Sequence, residues 1–93
     1  MNCSALIVTY NRLEKLKVTI ANTVKLNFTA IMVVNNGSTD GTQEWLATLS
    51  DPRVIVLNLP SNTGGAGGFK AGSQYLCDNV DSDWVFFYDD DAW

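Results

Sequence analysis

Histidine is absent from the 93 residues. Imidazole base catalysis and imidazole metal ligation are therefore outside this chain's own chemistry. Cysteine occurs twice, as Cys3 and Cys77, and not as a CxxC pair, which argues against a structural zinc site. No charged segment followed by an apolar stretch opens the chain, so no secretory signal is read. Two lone cysteines in a cytosolic chain are expected to be reduced, buried small hydrophobes rather than a disulfide. Long hydrophobic runs are also missing: none approaches the ~18 residues of a membrane-spanning helix. Bases are scarce, and the net charge of -4 argues against a nucleic-acid partner.

What is present is an ordinary folding composition, 46% hydrophobic and 17% charged, long enough for one small domain. The charge is uneven. Residues 1–77 carry six bases against four acids, and residues 78–93 carry six acids and no base. An acidic end is often a solvated tail. This one contains Trp84-Val85-Phe86-Phe87-Tyr88, for which a solvated tail has no use.

Four short apolar runs alternate with three helix-like segments. The runs are Ala5–Val8, Ala30–Val34, Val54–Leu57 and Trp84–Tyr88. They are rich in β-branched and aromatic residues and lack polar alternation, as strands buried on both faces of a parallel sheet do. Leu13, Leu16, Ile20 and Val24 recur at helical spacing, with Asn11 as N-cap and Glu14 completing a capping box. A second helix is expected to start at Asp40 with Gln43 as its reciprocal partner, to bury Trp45, Leu46 and Leu49, and to stop at Asp51-Pro52. A third opens in a glycine cluster and runs to about Asp78, with Phe69, Tyr75 and Leu76 facing the core. The order β-α-β-α-β-α-β predicts an α/β, Rossmann-like three-layer fold with a parallel sheet in the order 3-2-1-4.

In such sheets ligands bind beyond the carboxyl ends of the strands. The polar residues fall there: Thr9-Tyr10-Asn11-Arg12 after the first run, Asn35-Asn36-Gly37 after the second, Asn62 and the glycines after the third, Asp89-Asp90-Asp91 after the fourth. Asn11 and Asp40 are accounted for as helix caps. Asn35 and Asn36 are open to two roles, turn formation or reading a base edge, since an amide both donates and accepts. Five of the seven glycines lie between Gly64 and Gly72. They match neither the dinucleotide fingerprint nor the Walker A loop, because Phe69 precedes Lys70 and Ala71 follows it. They are read as a backbone approach to phosphate or sugar, as a flexible loop, or as close packing of helix on sheet.

Three adjacent carboxylates repel one another unless a cation or strong donors intervene. On an extended chain Asp89 and Asp91 point one way and Asp90 the other. That spacing suits two oxygen ligands on Mg2+ or Mn2+. A strand ending in Asp-x-Asp also opens haloacid-dehalogenase-like phosphatases, so phosphoryl transfer is the rival enzyme class. There the motif lies on the first strand with Thr or Val after it; here it ends the fourth and Ala92 follows. A non-catalytic nucleotide-binding module is the remaining alternative.

Together, Val8–Arg12, Val33–Thr42 (VVNNGSTDGT), Asn62–Phe69 (NTGGAGGF) and Asp89–Asp91 resemble the nucleotide-sugar-binding half of a family 2 glycosyltransferase with the GT-A fold. They stand in the family's order and span nearly the whole chain. The last two segments are most similar to the branch with rhamnosyl- and galactofuranosyltransferases of bacterial surface polysaccharide biosynthesis. The resemblance implies a UDP- or dTDP-linked sugar donor, a glycan or lipid-linked acceptor and inversion at the sugar carbon. It implies that Thr9 and Tyr10 line the base and ribose pocket, that Asn35 and Asn36 read the base, and that Asn11, Arg12 and Gly37 belong to the same nucleotide-sugar site. Asn62, Gly64, Gly65 and Gly68 then pack near ribose and sugar, with Lys70 as a phosphate contact. Asp89 and Asp91 hold the metal, and Asp90 reaches the ribose or donor sugar. Where the family usually carries an Asp, this chain has the amides Asn35-Asn36, which keep hydrogen-bonding capacity and drop charge.

The same resemblance requires an acceptor-binding half and a carboxylate base. Residues 1–93 are therefore expected to be one donor-binding subdomain, the N-terminal part of a larger enzyme, inactive alone and cytoplasmic or at the inner membrane face. The Trp84–Tyr88 strand is then a sheet edge open to self-association.

Overall fold

The computed structural model describes residues 2–90. Four strands, β1 (Cys3–Thr9), β2 (Ala30–Asn36), β3 (Val54–Leu59) and β4 (Trp84–Asp89), alternate with helices α1 (Leu13–Thr23), α2 (Thr42–Leu46) and α3 (Gly64–Asn79). All strand pairings are parallel, and the sheet order is β3-β2-β1-β4, as the alternation predicts.

The alternation of side chains along each strand divides the core in two. Ala5, Ile7, Ile31 and Val33 meet Leu16 and Ile20 of α1 and Leu46 of α2. Leu6, Met32 and Val34 point the other way, onto Leu76 of α3, with Phe69 packed alongside. Three layers result, with α1 and α2 on one face and α3 on the other. β2 is buried over its whole length, because it lies between two strands and under helices on both faces.

The outer strands differ from expectation. β3 is only half-buried and β4 is largely exposed, so burial on both faces holds for the inner pair alone. β4 is an edge whose aromatics lean on single neighbours. Phe28 stacks edge-on against Phe86 and Tyr88, and Phe69 against Phe87. Tyr75 is exposed on α3, one position short of the buried Leu76, and is not a core contact. Cys77 is exposed and Cys3 half-buried, both free thiols; only their reduced state matches expectation.

Two glycines of α3 explain how closely it approaches the sheet. A Cβ on Gly68 would meet Val8 Cγ1 at 2.6 Å, and one on Gly72 would meet Val34 Cγ2 at 2.8 Å as well as Leu6. They lie four residues apart, on one helix face. For these two the packing reading of the cluster holds.

The caps also differ. Asn11 does not cap α1. It adopts a left-handed conformation with φ 49°, and its Oδ1 accepts the Thr39 N–H at 2.7 Å. Arg12 occupies the cap position, and its side chain makes no capping bond to the helix. The acceptor comes from elsewhere: Asp40 Oδ2 takes the Leu13 N–H at 3.1 Å. The other oxygen of Asp40 takes the Thr42 N–H at 3.2 Å and the Thr42 hydroxyl. One carboxylate thus caps two helices. The second begins at Thr42 rather than Asp40, ends at Leu46 short of Asp51-Pro52, and has Thr42, not Gln43, as the carboxylate's partner.

At the amino end of the sheet, Arg53 holds Asp51 through Nε (3.1 Å) and Nη2 (2.7 Å). It also donates to the carbonyls of Val24 (2.6 Å) and Leu26 (2.8 Å), beyond the end of α1. A cation there satisfies helix-terminal acceptors and opposes the dipole.

Candidate functional site

Register decides which residues meet. Val8 pairs with Val34 on one side and Asp89 on the other, and Thr9 pairs with Asn35, which pairs with Asn58. The strand ends are therefore level, and their polar continuations share one rim. A cleft of about 420 Å3 opens there, lined by Val8, Thr9, Tyr10, Arg12, Asn36, Asn62, Gly64, Gly65, Asp89 and Asp90. Its size falls within the range of small-molecule sites.

Alternation sends Asn35 and Asn36 to opposite faces of the sheet. Asn35 turns toward α2, where its amide donates to Asn58 Oδ1 at 3.0 Å and its oxygen accepts the Ser38 N–H at 3.2 Å. It does not line the cleft. Asn36 turns toward α3. It donates to Asn62 Oδ1 (3.2 Å) and the Gly64 carbonyl (3.0 Å), and accepts the Thr63 N–H and hydroxyl, each at 3.0 Å. Its amide thus ties the start of α3 to the end of β2, and it sits in the cleft wall while doing so.

Of the remaining sequence candidates, Gly37 supports the site from behind. Its φ is 79°, and a Cβ there would meet the Ser61 carbonyl carbon at 2.5 Å. Asn11 anchors the Ser38-Thr39 loop. Gly68 is buried against Val8, and Lys70 is exposed on α3 away from the cleft lining. Asp91 lies outside the described residues.

The acidic wall has two unlike members. Asp90 is 7% exposed. Its Oδ2 accepts the Thr9 hydroxyl at 3.1 Å, its Oδ1 lies 3.6 Å from Arg12 Nη1, and its backbone carbonyl accepts the Thr19 hydroxyl at 2.8 Å. Asp89, one position earlier, is exposed at the rim on the α3 side. No group of three or more candidate metal ligands occurs among the described residues. One exposed carboxylate still fits Mg2+ or Mn2+, which commonly take one or two carboxylates and complete their shell with water and substrate phosphates.

Thr19 was not read from the sequence as part of the site. A signal was available: it interrupts the apolar stripe of α1 yet lies in the same arc as Leu16 and Ile20. Val8 was read as strand core and as the head of the resembling segment, but not as a wall residue.

No helix among the described residues is long and apolar enough to cross a membrane. No curated protein matches the chain. The family model described as Glycosyl transferase family 2 matches residues 4–93, a span that takes in every element of this sheet and its cleft. With that match over nearly the whole length, and with strand ends gathered around one polar cleft, the chain belongs to glycosyl transferase family 2.

Proposed function

We propose that the cleft holds the nucleoside diphosphate of a UDP- or dTDP-linked sugar, the donor for transfer to a glycan or lipid-linked acceptor. The observation that carries this reading is the meeting of Thr9, Tyr10, Asn36, Gly64, Gly65, Asp89 and Asp90 around one space. Tyr10, exposed at the rim, offers a face for the base or ribose. In the first turn of α3 the Gly64 N–H is taken by Asn62 Oδ1 at 2.7 Å, and the N–H groups next to it have no carbonyl partner within the helix; such groups suit phosphate oxygens. Asp89, together with Asp91, is the residue to hold Mg2+ or Mn2+ against the diphosphate. When bound, the cation supplies charge neutralisation for the leaving diphosphate.

In the transfer, the acceptor hydroxyl oxygen forms a bond to the anomeric carbon with inversion. The bond from that carbon to the diphosphate oxygen breaks, its electron pair leaves with the nucleoside diphosphate, and the hydroxyl proton passes to a base. The base is assigned to no residue of this cleft. Asp90 is engaged by Thr9 and Arg12, so it frames the acidic wall before it meets any donor. The reaction belongs in the cytoplasm, at the inner membrane face where the acceptor is lipid-linked.

Calorimetric titration with UDP, UDP-sugars and dTDP-sugars, with and without Mn2+, tests this reading. Weak, Mn2+-dependent binding that Asp89→Asn removes is expected. Tight binding that ignores both the cation and Asp89 would overturn it.

A further inference from the structure

Thr19 is fully buried in the middle of α1, one turn from Thr23. The two threonines use their hydroxyls differently. Thr23 Oγ1 donates back to the Thr19 carbonyl at 2.7 Å, the usual local acceptor for a helical threonine. Thr19 Oγ1 reaches across to the Asp90 carbonyl at 2.8 Å instead, 71 residues away. The helix thus spends a buried donor on the backbone of the acidic loop.

Two more groups hold the same residue, the Thr9 hydroxyl and the Arg12 guanidinium, both on the Asp90 side chain. All three anchors belong to the β1–α1 unit: the last residue of β1, the residue before α1, and a residue two turns into it. Asp90 is therefore fixed at its carboxylate and at its carbonyl. Held on its Cβ side and on its carbonyl side, the tetrahedral Cα of Asp90 also has its N–H placed, and that N belongs to the rigid peptide unit joining it to Asp89. The neighbouring Asp89 has its carboxylate exposed at the rim; it closes β4 opposite Val8 and is one peptide away from Asp90.

We propose that Thr19 is a positioning residue: through the Asp90 carbonyl it sets the direction of the Asp89 carboxylate, and so the cleft's ability to hold a divalent cation with a diphosphate. This rests on the donor-site reading above. The step from Thr19 to ligand is indirect, and a hydroxyl buried under the sheet touches neither donor nor cation.

Thr19→Val keeps the shape and removes the donor; Thr19→Ser restores it. Two readouts separate the claims. In the free chain, the Asp89 and Asp90 amide signals in NMR report the loop without any ligand. In the bound chain, calorimetry with UDP reports affinity with and without Mn2+. For Thr19→Val we expect shifted Asp89 and Asp90 amides and unshifted Asn36 and Gly64 amides. Mn2+-dependent UDP binding should weaken about five- to tenfold, the scale of one net hydrogen bond, with metal-free binding unchanged. Thr19→Ser should return both readouts to within about twofold of wild type. Wild-type affinity in Thr19→Val, or equal losses with and without Mn2+, would overturn the positioning role. If the wild-type chain binds no Mn2+-UDP, the donor reading falls, and unmoved Asp89 and Asp90 amides in Thr19→Val would then overturn the positioning role independently.

Discussion

The Thr9 hydroxyl donates to the Asp90 carboxylate at 3.1 Å across 81 residues of sequence. Thr9 ends β1 and Asp90 follows β4, so this bond joins two neighbouring strands at the ligand rim. Thr9→Val leaves a nearly buried carboxylate short of one donor. A hydrogen bond to a charged group is worth roughly 1.5–3 kcal/mol, and urea denaturation should show a loss of that order, with Thr9→Ser largely restored. Equal midpoints for Thr9→Val and wild type would count against the pairing.

Asp40 and Asp51 make stability depend on acid. The Thr42 hydroxyl, with the N–H groups of Leu13 and Thr42, holds the Asp40 carboxyl below its ordinary value, against an opposing effect of desolvation that is second only to the Thr42 hydroxyl. Hydrogen bonds from Arg53 do the same for Asp51. The unfolded chain then binds more protons than the folded one between the depressed and ordinary values. The stabilisation is complete above the ordinary carboxylate range and disappears as pH falls through and below about 3.9. Urea midpoints should be level from neutral pH to about 5 and fall below about 4. Asp40→Asn should flatten part of that fall and lower the neutral-pH stability by about 1 kcal/mol, the usual worth of a cap.

How much of this was legible beforehand varies with distance along the chain. The four strands and their order follow from β-branched runs separated by helical spacing, and local pattern suffices for that. The convergence of Thr9, Tyr10, Asn36 and Asp89 was legible because every parallel strand ends on the same rim. The partners were not. That Asp40 caps α1, that Asn36 stitches the start of α3, and that Thr19 reaches Asp90 each depend on side chains that only tertiary packing brings together. The opposite facing of Asn35 and Asn36 was available from strand alternation alone, and it is what separates the cleft residue from the supporting one.

The glycines of α3 looked alike in sequence, and packing divides them. Gly72→Ala drives a methyl into Leu6 and Val34, and overpacking of this kind costs roughly 1–3 kcal/mol. Gly65 has nothing within 4 Å of an added Cβ, yet it lines the cleft. Gly65→Ala should fold at least as stably as wild type, since alanine favours helix. If a donor diphosphate approaches that backbone, UDP binding should drop severalfold in Gly65→Ala. Unchanged UDP affinity there would move the phosphates away from α3.

Arg53 is the opposite case, a cluster of bonds at the end of the sheet remote from the cleft. Lysine keeps the charge but not the planar fork, and it cannot bridge Asp51 and the Val24 and Leu26 carbonyls together. Arg53→Lys should recover less than half of the urea-midpoint loss seen in Arg53→Ala. Both variants should bind UDP like wild type at temperatures where they are folded. A binding defect in folded Arg53→Lys would mean that the two ends of the sheet communicate.

The exposed edge strand is the last feature with a measurable consequence. Trp84 and Phe87 of β4 are 57% and 59% exposed, on a strand whose outer side pairs with no other strand among the described residues. Such an edge favours pairing with a second copy. Acids flank it at both ends, however: Asp81 and Asp83 before it, Asp89 and Asp90 at its close. Antiparallel pairing of two β4 strands brings carboxylates from one copy near carboxylates of the other. Repulsion between exposed charges is screened by salt, whereas apolar burial is not weakened by it. Self-association measured by sedimentation velocity should therefore rise with sodium chloride concentration, and Phe87→Lys should reduce it at every concentration of salt. A chain that stays monomeric at high salt and high protein concentration would show that this edge does not pair with itself.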